Sequence, residues 1–130
     1  MIYLSDIRDW LKSVTSAEHY HIGKLDNKQD RSIGVYSLKQ SGTPTRAIGG
    51  ESTYDTISVS LLIHYTDNAR ETEEFARRLY ETLYGIKNVE IKEHKIYIIE
   101  LLMEEPVDVG TDDKGVYEQV IEVKFYYERK

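Results

Sequence analysis

The sequence predicts an α+β domain, a mainly antiparallel β-sheet with two helices packed on one face, in the order αββ, loop, βαβββ. Between Tyr54 and Thr66, apolar and polar residues alternate strictly, as in a strand with one buried face. The next segment, Ala69 to Gly85, repeats apolar residues at helical spacing and ends at a glycine, the residue that commonly stops a helix. A chain of 130 residues can bury one core, so we expect a single domain over residues 1–130, with a flexible loop at about 39–53.

A first helix is expected near the N-terminus. Ser5 can cap it, and the acidic Asp6 and Asp9 suit its positively polarised end. One stripe at helical spacing would face the core: Ile7, Trp10, Leu11 and Val14.

The remaining strands are predicted where short apolar runs are bounded by turn residues. They cover residues 19–25, 33–38, 89–92, 96–103 and 116–127. A polar turn at 26–32 joins the first two, and the turn-rich segment VDVGTDDKG connects the last two. The segment KQSGTPTRAIGG, by contrast, has neither a helical nor a strand period. Loops of this length are usually functional or disordered, so we expect it to dock against a partner.

Composition limits the possible functions. The net charge of −6 argues against general binding to nucleic acid or to a membrane surface, because such binding needs excess Lys and Arg. The chain has no Cys, which excludes thiolate catalysis and a disulfide framework. The acidic N-terminal segment does not resemble a signal peptide, so we expect a soluble protein that is not exported by that route.

The charge is unevenly distributed along the chain. Residues 20–48 carry five basic and two acidic side chains, a balance of +3, whereas residues 100–130 carry four basic and nine acidic ones, a balance of −5. The asymmetry can be an ordinary solvated surface, or it can favour head-to-tail contact between copies. Eleven Tyr against two Phe likewise suit either protein interfaces or the edges of the core.

The most metal-like pattern is His19 and His21, which share a face of one predicted strand, with His64 available on another. Zinc sites use three or four protein ligands, so this pattern is incomplete. If Tyr20 and Ile22 point inward, both histidines face water, and this interpretation explains more. A small ligand-binding or hydrolytic α+β protein that uses the three histidines remains an alternative.

Acidic residues give no catalytic or calcium pattern. Asp108, Asp112 and Asp113 lack the EF-hand spacing, and the Asp-Asp-Lys-Gly sequence at Asp112 to Gly115 is typical of a tight turn. Glu104 and Glu105 are adjacent in sequence, so in a strand they would face opposite ways and could not flank one bond. We therefore predict that the protein is not an enzyme and has no cofactor or metal.

Two segments carry a family resemblance: IHYTDNARETEEFARRLYETL (Ile63 to Leu83) and PVDVGTDDKGVYEQVIEVKFYYE (Pro106 to Glu128). The chain from about Tyr54 to Glu128 resembles small phage and prophage proteins labelled minor capsid or tail terminator proteins of long-tailed, siphovirus-type phages. The resemblance implies a structural virion protein that forms a ring, typically sixfold, at the head-proximal end of the tail tube. Such a ring stops tube growth and joins the tail to the head.

The resemblance further implies three partners: other copies of the chain, the major tail tube protein and the head connector proteins. It places the protein in the tail or neck of the virion, made in a bacterial host cytoplasm from a phage or an integrated prophage. Another head–tail neck or head-completion protein is the alternative. We expect the protein interfaces to include Lys39, Arg46, Ile48, Tyr54, Asp112, Asp113 and Lys114.

Overall fold

The computed structural model describes residues 1–23, 29–39 and 54–129. These residues form two helices, α1 (Leu4–Val14) and α2 (Ala69–Gly85). They also form seven strands: β1 (His19–Ile22), β2 (Ser32–Ser37), β3 (Tyr54–His64), β4 (Val89–Ile91), β5 (His94–Leu101), β6 (Val107–Thr111) and β7 (Tyr117–Glu128). The predicted α+β class is confirmed.

The seven strands form one sheet in the order β1-β2-β3-β7-β5-β4, and β6 pairs with β7 beyond the end of β5. All strand pairs are antiparallel except β1 with β2. The longest ladder joins β3 to β7, from Tyr54 opposite Glu128 to His64 opposite Glu118. This ladder is the centre of the sheet and positions every surface described below.

Both helices pack on one face of the sheet, and the core lies between the helices and the sheet. Alternate residues of β3 and β7 line this helix face, among them Leu61 opposite Ile121. The Trp10 ring from α1 meets Phe125 edge to face, with ring centroids 5.8 Å apart. A fully buried side chain such as that of Phe125 contributes about 1.5–3 kcal/mol relative to exposure.

The other face of the sheet, here called the open face, carries no helix among the described residues. It consists of the intervening side chains: Thr56, Ser58, Ser60, Leu62 and His64 of β3, and Glu118, Val120, Glu122, Lys124 and Tyr126 of β7. The strict alternation of β3 therefore predicted both faces correctly. The open face is polar, although Ser58 and His64 on it are buried.

The N-terminal elements differ in detail from the sequence prediction. Helix α1 begins at Leu4, so Ser5 lies inside it and not at its cap. The first turn is instead closed by Asp6, whose carboxylate accepts a 2.9 Å hydrogen bond from the backbone N–H of Tyr3. On α2, two ion pairs each span one helical turn, Glu73 with Arg77 at 3.2 Å and Arg70 with Glu74 at 2.9 Å.

Two strands at the edges of the sheet also differ. Strands β1 and β2 run parallel, an exception to the otherwise antiparallel sheet that the sequence did not indicate. On β1, Ile22 is exposed and His19 and His21 are half-buried, whereas the sequence suggested the reverse. A seventh strand, β6, occupies the first part of the segment predicted to be a connection. It forms because residues 107–111 pair with β7, a contact that period counting does not reveal.

Candidate interaction surfaces

The predicted interface residues that the structure describes lie at opposite ends of strand β3. Lys39 is exposed directly after β2, and the half-buried Tyr54 begins β3 with its ring 5.9 Å from that of Tyr126. The Asp112–Lys114 turn lies beside His64, at the other end of β3. Ten residue steps along a strand separate these ends by about 33 Å. Arg46 and Ile48 lie outside the described residues.

The Asp112–Lys114 turn is closed by its own hydrogen bonds. The Asp112 carboxylate accepts 2.9 Å hydrogen bonds from the backbone N–H groups of Lys114 and Val116. Gly115 continues the turn with a positive φ of 81°, a conformation that glycine adopts at little cost. Asp108 likewise accepts from the N–H of Gly110 at 2.8 Å. The predicted turn at Asp112 to Gly115 is confirmed, whereas Asp108 lies in strand β6.

Asp112 is ionised more readily than an ordinary aspartate. Burial raises the pKa of its carboxyl, but the N–H donors of Val116 and Lys114, together with the nearby His64, outweigh burial and lower the pKa. The turn thus holds a fixed negative charge close to the exposed side chains of Asp113 and Lys114. Those two exposed side chains can meet a partner.

A buried histidine ties this turn to the sheet. The His64 side chain is fully buried, with Nδ1 3.0 Å from Glu118 Oε2 and Nε2 3.7 Å from Asp112 Oδ2. Glu118 faces His64 because the two residues are partners in the β3–β7 ladder. The sequence predicted which face each residue occupies, but not this register, so Glu118 was missed as the partner of His64.

The same geometry separates His64 from the other histidines. The His19 and His21 rings stack with centroids 6.5 Å apart on β1. His64 lies two strands away, at about 10 Å for two strand spacings, and its nitrogens face carboxylates. Among the described residues, no group of three His, Asp or Glu side chains could hold a metal ion. The described geometry gives the three-histidine alternative no support.

An acidic groove lies between α2 and the start of β6. Its 290 Å³ cavity is lined by Glu73, Arg77, Glu105, Pro106, Val107, Asp108 and Gln119. Arg77 reaches Glu73 at 3.2 Å and Glu105 at 3.9 Å, and it is the only basic residue in the lining. Nearby, burial and the charges of Glu81, Glu104 and Glu105 raise the pKa of the Tyr80 hydroxyl. The groove therefore presents excess negative charge beside β6.

A second groove, more apolar, lies where β5 runs beyond β4. The 440 Å³ cavity is lined by Tyr84, Ile86, Lys87, Ile98, Ile99, Glu100, Leu101 and Tyr126. Ile98 and Tyr84 are exposed there, and the Tyr126 hydroxyl donates to Glu100 at 3.0 Å. Tyrosine and exposed aliphatic side chains together are typical of protein interfaces.

In the described part of the chain, no helix is long and apolar enough to cross a membrane. Residues 5–129, nearly the whole chain, match the sequence model of a family described as bacteriophage tail terminator protein. No curated protein matches the chain.

Proposed function

The chain belongs to the bacteriophage tail terminator protein family, and from this premise we propose that it forms a ring, six copies when assembled, at the head-proximal end of the tail tube. The family makes it a structural tail component of the virion. In the proposed role the ring ends tube polymerisation and presents a surface to the head connector proteins. It involves no cofactor and no catalytic step.

The match over residues 5–129 is the observation that carries this proposal. The shape of the subunit supports it, because a terminator must contact two different assemblies along one axis. Lys39 and Tyr54 lie at one end of β3 and the Asp112–Lys114 turn at the other. We assign one end to the major tail tube protein and the other to the head connector.

Contact between copies is supported by charge. The basic sequence segment 20–48 and the acidic segment 100–130 differ in sign, and Glu105 and Asp108 of the acidic segment line the groove beside β6. A ring is built from heterologous contacts, in which one patch meets a different patch on the next copy. Reversing the charge of Lys39 and Arg46 should therefore weaken ring assembly, as measured by native mass spectrometry. Unchanged assembly would count against this contact.

The segment from residue 40 to 53 lies outside the described residues, and its proposed role rests on its sequence. We propose that it orders on contact with the tube, a neighbouring copy or the connector. Deleting residues 42–49 should then leave the thermal transition nearly unchanged but prevent tail joining. Normal, head-joined tails from such a deletion phage would contradict this role.

The test of the whole proposal is a phage, or an induced prophage, that lacks this gene. We expect tails of uncontrolled length that are not joined to heads, as seen by electron microscopy, with normal tails restored by the intact gene. A head-completion protein would instead give tails of normal length beside defective heads. Co-purification with the major tail protein, compared with the connector proteins, separates the same alternatives.

A further inference from the structure

Strand β6 is unusual because it is not packed. All five of its residues are exposed, with Val107 43% and Val109 49% accessible. Among the described strands it pairs only with β7, and its outer edge is open. Most short strands gain stability by burying one face, yet β6 buries neither. An open edge with exposed valines is a surface on which another strand can pair.

The opposite edge of the sheet is open in the same way. Strand β1 has four residues and, among the described strands, pairs only with β2. The backbone N–H groups of His19 and Gly23 donate toward β2, to Arg31 and Val35 respectively. Because backbone groups alternate along a strand, those of Tyr20 and Ile22 face the outer edge. The Ile22 side chain is 40% exposed there.

From these two edges we infer that β6 of one copy pairs with β1 of the next copy, so that the sheet continues from subunit to subunit. This inference rests on the proposed ring. Within one subunit β2, β3 and β7 lie between the two edges, so the pair can form only between copies. Joining two different edges makes the contact heterologous, as a closed ring requires.

The lengths of the strands and the charge around β6 favour β1 of another copy as the partner of β6. The five residues of β6 match the four of β1, and a bulge between Asp108 and Gly110 keeps the pairing short. Asp108 and the acidic groove lie beside β6, whereas β1 itself carries no acidic side chain. Repulsion between the acidic surroundings of two β6 strands disfavours contact between two copies of β6, and this favours contact with the unlike edge at β1.

The sheet register identifies which side chains would meet. His19 aligns through Ser32 with His64 on the open face, and Val107 aligns with Val120 on the same face. Asp108 aligns with Gln119 and so lies on the helix face. Neighbouring strands of one sheet place their partners on the same face. In the assembled ring, Val107 should therefore lie beside His19 or His21 of the next copy.

The natural absence of Cys allows a direct test. Double variants with Val107→Cys and either His19→Cys or His21→Cys are added to tubes of the phage's major tail protein and oxidised. We expect disulfide-linked ladders on a non-reducing gel from at least one of these variants, because directly opposed strand residues meet the geometry of a disulfide. The matched control replaces Val107→Cys with Asp108→Cys, which points to the other face and should give no ladder.

The possible outcomes separate the inference from the proposed function. Tube-bound rings without a ladder from either Val107 variant would overturn β6–β1 pairing and leave the ring intact. Dimers from Val107→Cys alone would show β6 pairing with β6 and would also overturn it. Failure of the unmodified chain to form rings on tubes would overturn the proposed function, and this inference with it.

Discussion

Strand β7 has two very different neighbours at its first residues, where Glu118 pairs with His64 of β3. Strand β3 pairs with it along eleven residues and buries alternate side chains of both strands against the helices. Strand β6 pairs with its other edge between Val107 and Thr111 and buries nothing. Both are antiparallel neighbours of one strand, so backbone pairing alone does not distinguish them. The difference lies in what their side chains touch.

This contrast indicates that β3 serves the stability of the subunit, whereas β6 is exposed and fits the proposed contact between copies. Mutations in β3 should therefore lower the free energy of unfolding, and mutations in β6 should change self-association while leaving stability almost unaltered. The turn that links β6 to β7 lies between these extremes, because Asp112 is buried against His64.

The largest effect on stability is expected in the core of β3. Leu61→Ala removes a fully buried side chain and should lower the free energy of unfolding by about 2–5 kcal/mol. Urea denaturation followed by circular dichroism measures the loss. The matched control is Leu62→Ala on the open face, where Leu62 is half-buried and the cost should be smaller. Equal costs at the two positions would contradict the division of β3 into a core face and an open face.

A smaller loss in the free energy of unfolding is expected in the Asp112–Lys114 turn. Asp112→Ala removes the acceptor of two backbone N–H groups and should destabilise the protein by about 1–3 kcal/mol. Asp113→Ala changes the exposed neighbouring aspartate and should stay within about 0.5 kcal/mol of the parent chain. If chemical denaturation shows the same loss in the free energy of unfolding for both variants, the turn does not depend on the Asp112 carboxylate.

The same carboxylate should give the stability a pH dependence. Because the pKa of Asp112 is lower in the folded chain than the ordinary value of 3.8 for an aspartate, its contribution to stability is complete above that value. It is lost as the pH falls through the lower, folded pKa. Denaturation curves between neutral and acidic pH should therefore show a steeper loss for the parent chain than for Asp112→Asn. Identical pH profiles for the two proteins would refute this linkage.

The smallest effect on stability, with the largest effect on assembly, is expected in β6. Val109→Asp places a charge on an exposed edge, so the free energy of unfolding should change by no more than about 0.5 kcal/mol. Rings on tail tubes should nevertheless be lost, because the charge would enter the proposed contact beside an already acidic groove. Val109→Thr keeps the β-branched shape and should assemble, as counted by electron microscopy. Normal rings from Val109→Asp would place the contact elsewhere.

The sequence predicted the elements whose patterns are local. The long alternation of β3 and the apolar stripe of α2 each identify a buried face without knowledge of any neighbour. Features that depend on pairing were missed: the parallel β1–β2 pair, the exposure of Ile22, the strand β6 and the contact between His64 and Glu118. Each is set by which strand lies beside which, and that choice is made by the whole chain.

The exposure of β6 should also affect how fast its amide hydrogens exchange with solvent. Amide hydrogens exchange with solvent when their hydrogen bonds open, and strands with few buried contacts open locally at low free energy. The amides of β6 in a free subunit should therefore exchange long before those of β3, whose opening requires loss of the core. If β6 pairs with a neighbouring copy as proposed, its amides should exchange more slowly in the assembled ring than in the free subunit.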